Sequence, residues 1–198
     1  GGRIPGDTHT KGRNMNGPNR LNIREPVGFW FFGYGSLMWD PPFSAAESHR
    51  AKIYGYHRSF CVSSETYRGT PDNPGGSLGL AKGGSCTGIA FRLSETGRST
   101  AIREIEAREM DDNPIYVCRR VKLHLTDGRV DRYTLVVNRA DRIFAGSLSF
   151  EETSRRIATC HGDRGHNIDY LSKTVSHLDE MDIPEGYLHR ANAIRGTG

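Results

Sequence analysis

Eleven consecutive residues constrain this chain more than any other stretch: Phe29-Trp30-Phe31-Phe32-Gly33-Tyr34-Gly35-Ser36-Leu37-Met38-Trp39. Aromatic side chains at that density favour a strand, and the strand can be buried on both faces. Two glycines directly after it allow a tight turn whose bare main-chain N–H groups sit at the strand's end. Such a cradle suits a carboxylate or a developing oxyanion. The fold must therefore enclose the strand yet leave its far end open.

The rest of the 198 residues suffices for one domain with a sizeable core. Residues 1–27 hold five glycines, three prolines and almost nothing apolar, which predicts a flexible arm. The folded domain is expected over 28–198. No apolar run reaches the roughly 18 residues of a membrane helix, and the start lacks the apolar core of a secretory signal. A cytoplasmic protein without a membrane partner is expected. Cys61, Cys86, Cys118 and Cys160 are widely spaced, as buried free thiols would be.

The formal charge of +4 raises the question of nucleic acid. Its 22 arginines and five lysines are scattered rather than clustered, so no nucleic-acid partner is expected. An acidic small molecule uses the same charge more simply.

Strands dominate the middle of the chain. Tyr54, Tyr56, Arg58, Phe60 and Val62 alternate with smaller residues, the pattern of a half-buried strand. Residues 65–76 are rich in turn formers and predict a loop able to wall a site. Leu78–Leu80 and Cys86–Leu93 read as two short strands divided by Gly83-Gly84. Val117–Leu125 and Val130–Val137 flank Asp127-Gly128, a hairpin signal. Helices follow over Phe150–Cys160 and along Ile168, Leu171, Val175 and Leu178. No strand–helix alternation is present. The class is α+β, with a mixed or mainly antiparallel sheet that can close into a small barrel.

A helix is also predicted over Ser94–Met110. With Ile102 at the origin, Ile105 falls at about 300° and Glu109 at about 340°, the middle of the apolar face. Glu106 lies on the flank, and Glu104 faces water. An inward carboxylate is costly unless paired or protonated, and burial moves its pKa toward neutrality, where an acid/base works best. The same position also fits a structural carboxylate paired with Arg119 or Arg120, or a cap at the turn begun by Asp111-Asp112-Asn113-Pro114. Two further constellations are thinner. Ser36 with His57 lacks the Gly-x-Ser-x-Gly elbow of a serine hydrolase. Cys160, His161 and His166 lack the spacing of a metal site, and no metal is expected.

Six blocks carry a resemblance. They are Phe32-Gly33-Tyr34-Gly35-Ser36-Leu37-Met38-Trp39, Gly55-Tyr56-His57-Arg58-Ser59-Phe60, Arg68-Gly69-Thr70-Pro71, Gly84-Ser85-Cys86-Thr87-Gly88-Ile89-Ala90, Arg108-Glu109 and Gly165-His166-Asn167-Ile168-Asp169-Tyr170-Leu171. In that order and at those intervals they resemble the ChaC family of glutathione-specific γ-glutamylcyclotransferases, from about Phe31 to about Leu188. The resemblance implies a γ-glutamylcyclotransferase-like fold, a small mixed or antiparallel β-barrel flanked by helices. It implies cleavage of glutathione, or a related γ-glutamyl peptide, to 5-oxoproline and Cys-Gly without metal or organic cofactor. Glu109 would be the catalytic proton shuttle. Phe31, Phe32, Gly33, Tyr34, Gly35, Ser36, Leu37 and Arg68 would bind substrate. Two rivals remain at this level: the same chemistry on other γ-glutamyl amides, and a binding module that senses a γ-glutamyl ligand.

Overall fold

A computed structural model describes Leu21 and residues 29–110 and 115–194. Five strands close into a barrel in the order β1-β3-β2-β4-β5. They are β1 (Trp30–Gly33), β2 (Ala45–Ser64), β3 (Gly75–Leu93), β4 (Tyr116–Leu125) and β5 (Gly128–Val137). Closure is mixed: β1 runs antiparallel to β3 but parallel to β5, with Phe31 opposite Tyr133 and Phe32 opposite Thr134. The α+β barrel expected from the sequence is thus the fold observed.

At 20 residues, β2 would span about 65 Å if straight. Register shifts at Ala45/Glu47, Tyr54/Tyr56 and Phe60/Val62 bend it around the barrel instead. The middle shift corrects one expectation. Gly83 and Gly84 do not separate two strands; β3 runs through them. Both have positive φ (103° and 69°) and face Gly55 at φ 86°, so the three glycines form a bulge that kinks the ladder without ending it. The 116–137 hairpin forms as expected, with Leu125 opposite Gly128.

The helices are α1 (Arg98–Glu109), α2 (Phe150–Thr159), α3 (Asn167–Glu180) and α4 (Gly186–Ala193). Helix α1 starts four residues later than its sequence suggests. Ser94 Oγ accepts the N–H of Gly97 at 3.0 Å, which holds 94–97 as a turn. Ser149 caps α2 by accepting from Glu152 N–H at 3.1 Å. Between α2 and α3 a two-rung ribbon, β6 (His161–Gly162) with β7 (Gly165–His166), makes a tight turn.

Three apolar clusters result. Phe32, Ile53, Leu80, Val121, Leu123 and Val136 fill the barrel. Phe31, Leu37, Ala101, Ile105 and Leu135 join β1 and β5 to α1. Phe60, Leu78, Ile157, Leu171 and Leu188 join β2 and β3 to the remaining helices. The expected arm at 1–27 lies outside the described residues except for Leu21. That residue is buried at 5% exposure in the α1 cluster, and its N–H donates to Glu106 Oε1 at 2.8 Å. The breaker at 111–114 also lies outside them.

Candidate active site

The site forms where the second and third clusters meet at the end of β1. The chain leaves β1 at Gly33 and turns through a single 3-10 turn, Ser36–Met38, closed by Met38 N–H to Gly35 O at 2.9 Å. Tyr34, Gly35, Ser36 and Leu37, with Phe31, Leu78, Leu135, Tyr116, Tyr170 and Glu109, enclose an inner chamber of about 50 Å³. An outer chamber of about 250 Å³ continues from it past Ser36, Glu109, Tyr116 and Tyr170. Arg68, Arg108, Arg164 and Lys173 surround the outer chamber, with Asp40 as its second acid.

Most of the predicted residues are therefore brought together, and two stand apart. Phe31, Tyr34, Gly35, Ser36, Leu37 and Glu109 share the inner chamber, and Arg68 lines the outer one. Phe32 instead points into the barrel filling. Gly33 lines neither chamber and pairs with Ile89. Alternation along a strand explains this: neighbours point to opposite faces, so Phe31 and Phe32 cannot both reach the cavity.

Glu109 is the last residue of α1, and its side chain keeps 22% exposure, all that an inward position at a cavity mouth allows. Burial raises its pKa, and the Arg108 and Arg164 charges oppose that rise. The negative end of the α1 dipole acts in the same direction as burial. The carboxylate is paired, though not with Arg119 or Arg120, which are exposed on β4. Its partner is its neighbour: Arg108 Nε lies 3.3 Å from Glu109 Oε1. The same guanidinium donates from Nη2 to Ser36 Oγ at 2.8 Å, and from Nη1 to the carbonyl of Asp40. Arg108 thus ties the end of α1 to the turn after β1.

Three phenols surround the carboxylate. Tyr116 OH donates to Leu78 O at 2.6 Å. Burial pushes Tyr34 and Tyr116 well above the usual tyrosine range and Tyr170 up to about 12, with Glu109 contributing to each rise. All three stay neutral across the physiological range. Sequence reasoning missed Tyr116, Tyr170, Arg108 as a site residue, Arg164 and Lys173.

Helix α3 supplies one wall because of Asn167. Fully buried, Asn167 accepts Gly76 N–H at 2.7 Å and donates from Nδ2 to Gly76 O at 2.8 Å, as a neighbouring strand would. Tyr170, Lys173 and Thr174 then face the cavity at positions three, six and seven after it.

The loop between β2 and β3, residues 65–74, makes the opposite wall. A side chain at Gly69 would strike the backbone of Gly75, so the loop closes only with glycine there. The β6–β7 turn locks onto it through Asp163 N–H to Thr66 O (2.9 Å) and Arg164 N–H to Tyr67 O (3.0 Å). Arg68 donates to Arg164 O at 2.5 Å and lies 5.0 Å above the Tyr170 ring, while Arg164 stacks 4.0 Å above Tyr67.

The thinner constellations do not assemble. His57 Nδ1 is 3.0 Å from Gly83 O at the bulge, and Ser36 Oγ is bonded by Arg108. Cys160 Sγ is turned to Pro74 O, and the His161 and His166 rings lie side by side at 5.5 Å. Among the described residues, no group of three or more His, Cys, Asp or Glu is placed to hold a metal ion.

Comparison with known proteins gives a family and a fold. A family model described as ChaC-like protein matches residues 29–191. The glutathione-specific γ-glutamylcyclotransferase of Escherichia coli K12 is 32% identical over 161 residues, covering 81% of this chain and 69% of that protein. Glutathione-specific γ-glutamylcyclotransferase 1 of Danio rerio is 32% identical over 154 residues, covering 75% and 78%. The crystal structure of the γ-glutamyl cyclotransferase specific to glutathione from yeast superposes with a TM-score of 0.74 at 23% identity, covering 85% of this chain and 98% of that one. This likeness shows a shared fold.

Proposed function

The chain belongs to the ChaC-like family, and on that premise we propose that it is a γ-glutamylcyclotransferase that cleaves glutathione to 5-oxoproline and Cys-Gly. One observation carries the reading. A carboxyl with a raised pKa, Glu109, faces a cavity floored by the Gly-Tyr-Gly-Ser-Leu turn.

The reaction needs no water. The α-amine of the γ-glutamyl group attacks its own γ-carbonyl carbon and closes a five-membered lactam. The C–N bond to the cysteine of Cys-Gly then breaks. Because attack is intramolecular, the protein's tasks are to fold the substrate and to move protons. Glu109 takes one proton from the α-ammonium to free the amine for attack and a second from the same nitrogen as the lactam forms. It passes each in turn to the departing nitrogen, so that Cys-Gly leaves as an ammonium and Glu109 ends as it began. A base with a raised pKa suits both taking and giving. Backbone N–H groups at Gly35, Ser36 and Leu37 meet the glutamyl carboxylate or the tetrahedral oxyanion. The phenols of Tyr34 and Tyr170 stay neutral beside them as donors, while the Tyr116 hydroxyl is committed to Leu78 O.

The outer chamber suits the departing Cys-Gly half of the substrate. Four cationic side chains face two acids there, and Arg108 contacts both acids, at 3.4 Å to Asp40 and 3.3 Å to Glu109. Arg68 and Arg164 rest on carbonyls and rings rather than on carboxylates. That balance favours an anionic peptide terminus. We place the reaction in the cytoplasm, since all four cysteines are free thiols and a reducing compartment keeps them so. No helix in the described residues is long and apolar enough to cross a membrane.

The test is release of 5-oxoproline by purified protein from glutathione and from a panel of γ-glutamyl dipeptides, with Glu109→Gln alongside. Glutathione turnover that vanishes in Glu109→Gln, with the fold intact, is expected. Turnover of dipeptides in place of glutathione reassigns the substrate. Wild-type rates in Glu109→Gln remove Glu109 from the mechanism.

A further inference from the structure

Arg58 sits on β2, outside both chambers, and its side chain has no exposure to solvent. Each of its three guanidinium nitrogens has a partner. Nε donates to Tyr34 O at 2.6 Å, and Nη2 donates to Thr87 O at 2.7 Å and lies 3.8 Å from Met38 Sδ. Nη1 pairs with Glu185, the residue that precedes α4. A buried charge is unfavourable unless it is paired and hydrogen-bonded, and here its partners are Tyr34 within the Gly-Tyr-Gly-Ser-Leu turn, Met38 directly after it, Thr87 on β3 and Glu185 before α4.

The bond to Tyr34 O has a geometric consequence. A trans peptide is planar, so its C=O and N–H point in opposite directions. Drawing the Tyr34 carbonyl toward Arg58 sends the Gly35 N–H the other way. Gly35 lines the inner chamber with Glu109 and Tyr116, and no acceptor among the described residues is bonded to its N–H. The next plane is set locally. Gly35 O accepts Met38 N–H, which turns the Ser36 N–H away from the 3-10 turn. Glycine at 35 leaves the first plane free to rotate, so an external restraint is needed there and Arg58 provides it.

We propose that Arg58 is a positioning residue for the reaction: by holding the Tyr34 carbonyl it presents the Gly35 N–H to the oxyanion formed at the γ-carbonyl. This rests on the cyclotransferase reading and extends it to a side chain that never meets the substrate. Arginine is required over lysine because three acceptors, Tyr34 O, Thr87 O and Glu185, are held at once by one rigid plane. An ammonium keeps the ion pair with Glu185 and loses the Nε bond.

The test compares Arg58→Lys and Glu185→Gln with wild type by 5-oxoproline release from glutathione, by thermal unfolding, and by a crystal structure of Arg58→Lys. Arg58→Lys should lose about 10²-fold in kcat with KM within about 3-fold, the signature of a lost transition-state donor. Its 34–35 peptide should be rotated in the crystal. Glu185→Gln keeps the Nε bond, so it should unfold at lower temperature while kcat stays within about 3-fold of wild type. Equal loss of stability in both variants with kcat retained overturns the proposal, as does an unrotated 34–35 peptide in Arg58→Lys. If Arg58→Lys does not fold, the amide proton resonance of Gly35 in Glu109→Gln decides. It should shift when glutathione is added, and a Gly35 signal that stays put while its neighbours move overturns the proposal. A wild-type protein that releases no 5-oxoproline defeats the cyclotransferase reading instead, and the Arg58→Lys crystal structure still tests the peptide plane.

Discussion

Arg108 and Ser36 stand 72 positions apart in the chain and meet at 2.8 Å, guanidinium to hydroxyl. This contact joins the helix that carries the carboxyl to the turn that carries the main-chain donors. Arg108 Nε lies 3.3 Å from Glu109, so one side chain governs both where the acid sits and how readily it ionises.

Arg108 lowers the Glu109 pKa against the effect of burial. In Arg108→Gln that opposition is gone and the pKa rises further. The acid limb of kcat/KM, which reports the free enzyme's base, should lie above the ordinary carboxylate range in wild type and move to higher pH in Arg108→Gln. A pH–rate profile of the two proteins checks this. An unmoved limb separates Glu109 from the titration.

The raised pKa of Glu109 also has a sign for stability. The folded state binds its proton more tightly than the unfolded chain, so ionisation costs stability as pH rises through the folded pKa. Glu109→Gln should therefore unfold at higher temperature than wild type at neutral pH. The gap should close as pH falls below the unfolded carboxylate range. Thermal unfolding of both proteins from acid to neutral pH measures it.

Removing the Asn167 amide strands the Gly76 N–H and C=O in the interior. Two unpaired buried groups at about 1–3 kcal/mol each give roughly 2–6 kcal/mol of lost stability for Asn167→Ala. Denaturant unfolding should register that loss, with turnover falling as α3 and its Tyr170 drift from the cavity.

Lys173 stands at the cationic mouth of the outer chamber. A partly solvated contact with a peptide carboxylate is worth about 0.5–1 kcal/mol, or roughly 2–5-fold in binding. Lys173→Ala should raise KM for glutathione by that factor. KM for a γ-glutamyl amine without a terminal carboxylate should not change, and steady-state kinetics on the two substrates tells them apart.

The parts of the fold legible in the sequence were those whose signal is local. Asp127-Gly128 between two alternating runs gave the hairpin, and the 3.6-residue period placed Glu109 inward at the end of α1. Gly83-Gly84 misled because the same dipeptide ends a strand or kinks it, and only the partner Gly55 across the ladder decides which. Tyr116 and Tyr170 were hidden because they meet through barrel closure and through the Asn167 bond, both long-range. Arg58 did leave a trace. It stands two positions before the buried Phe60, on the same side of the strand, and an arginine on an apolar strand face must have its acceptors waiting. Finding those acceptors in Tyr34, Thr87 and Glu185 took the fold.

Because Asn167 hydrogen-bonds Gly76 as a sixth strand would, the helical layer is continuous with the barrel's ladder rather than merely laid against it. The Gly76 amide should then rank among the slowest to exchange with deuterium, opening only when barrel and helices come apart together. Cooperativity of that kind leaves the barrel no independent existence, and a chain cut before α3 should fail to fold as a stable half.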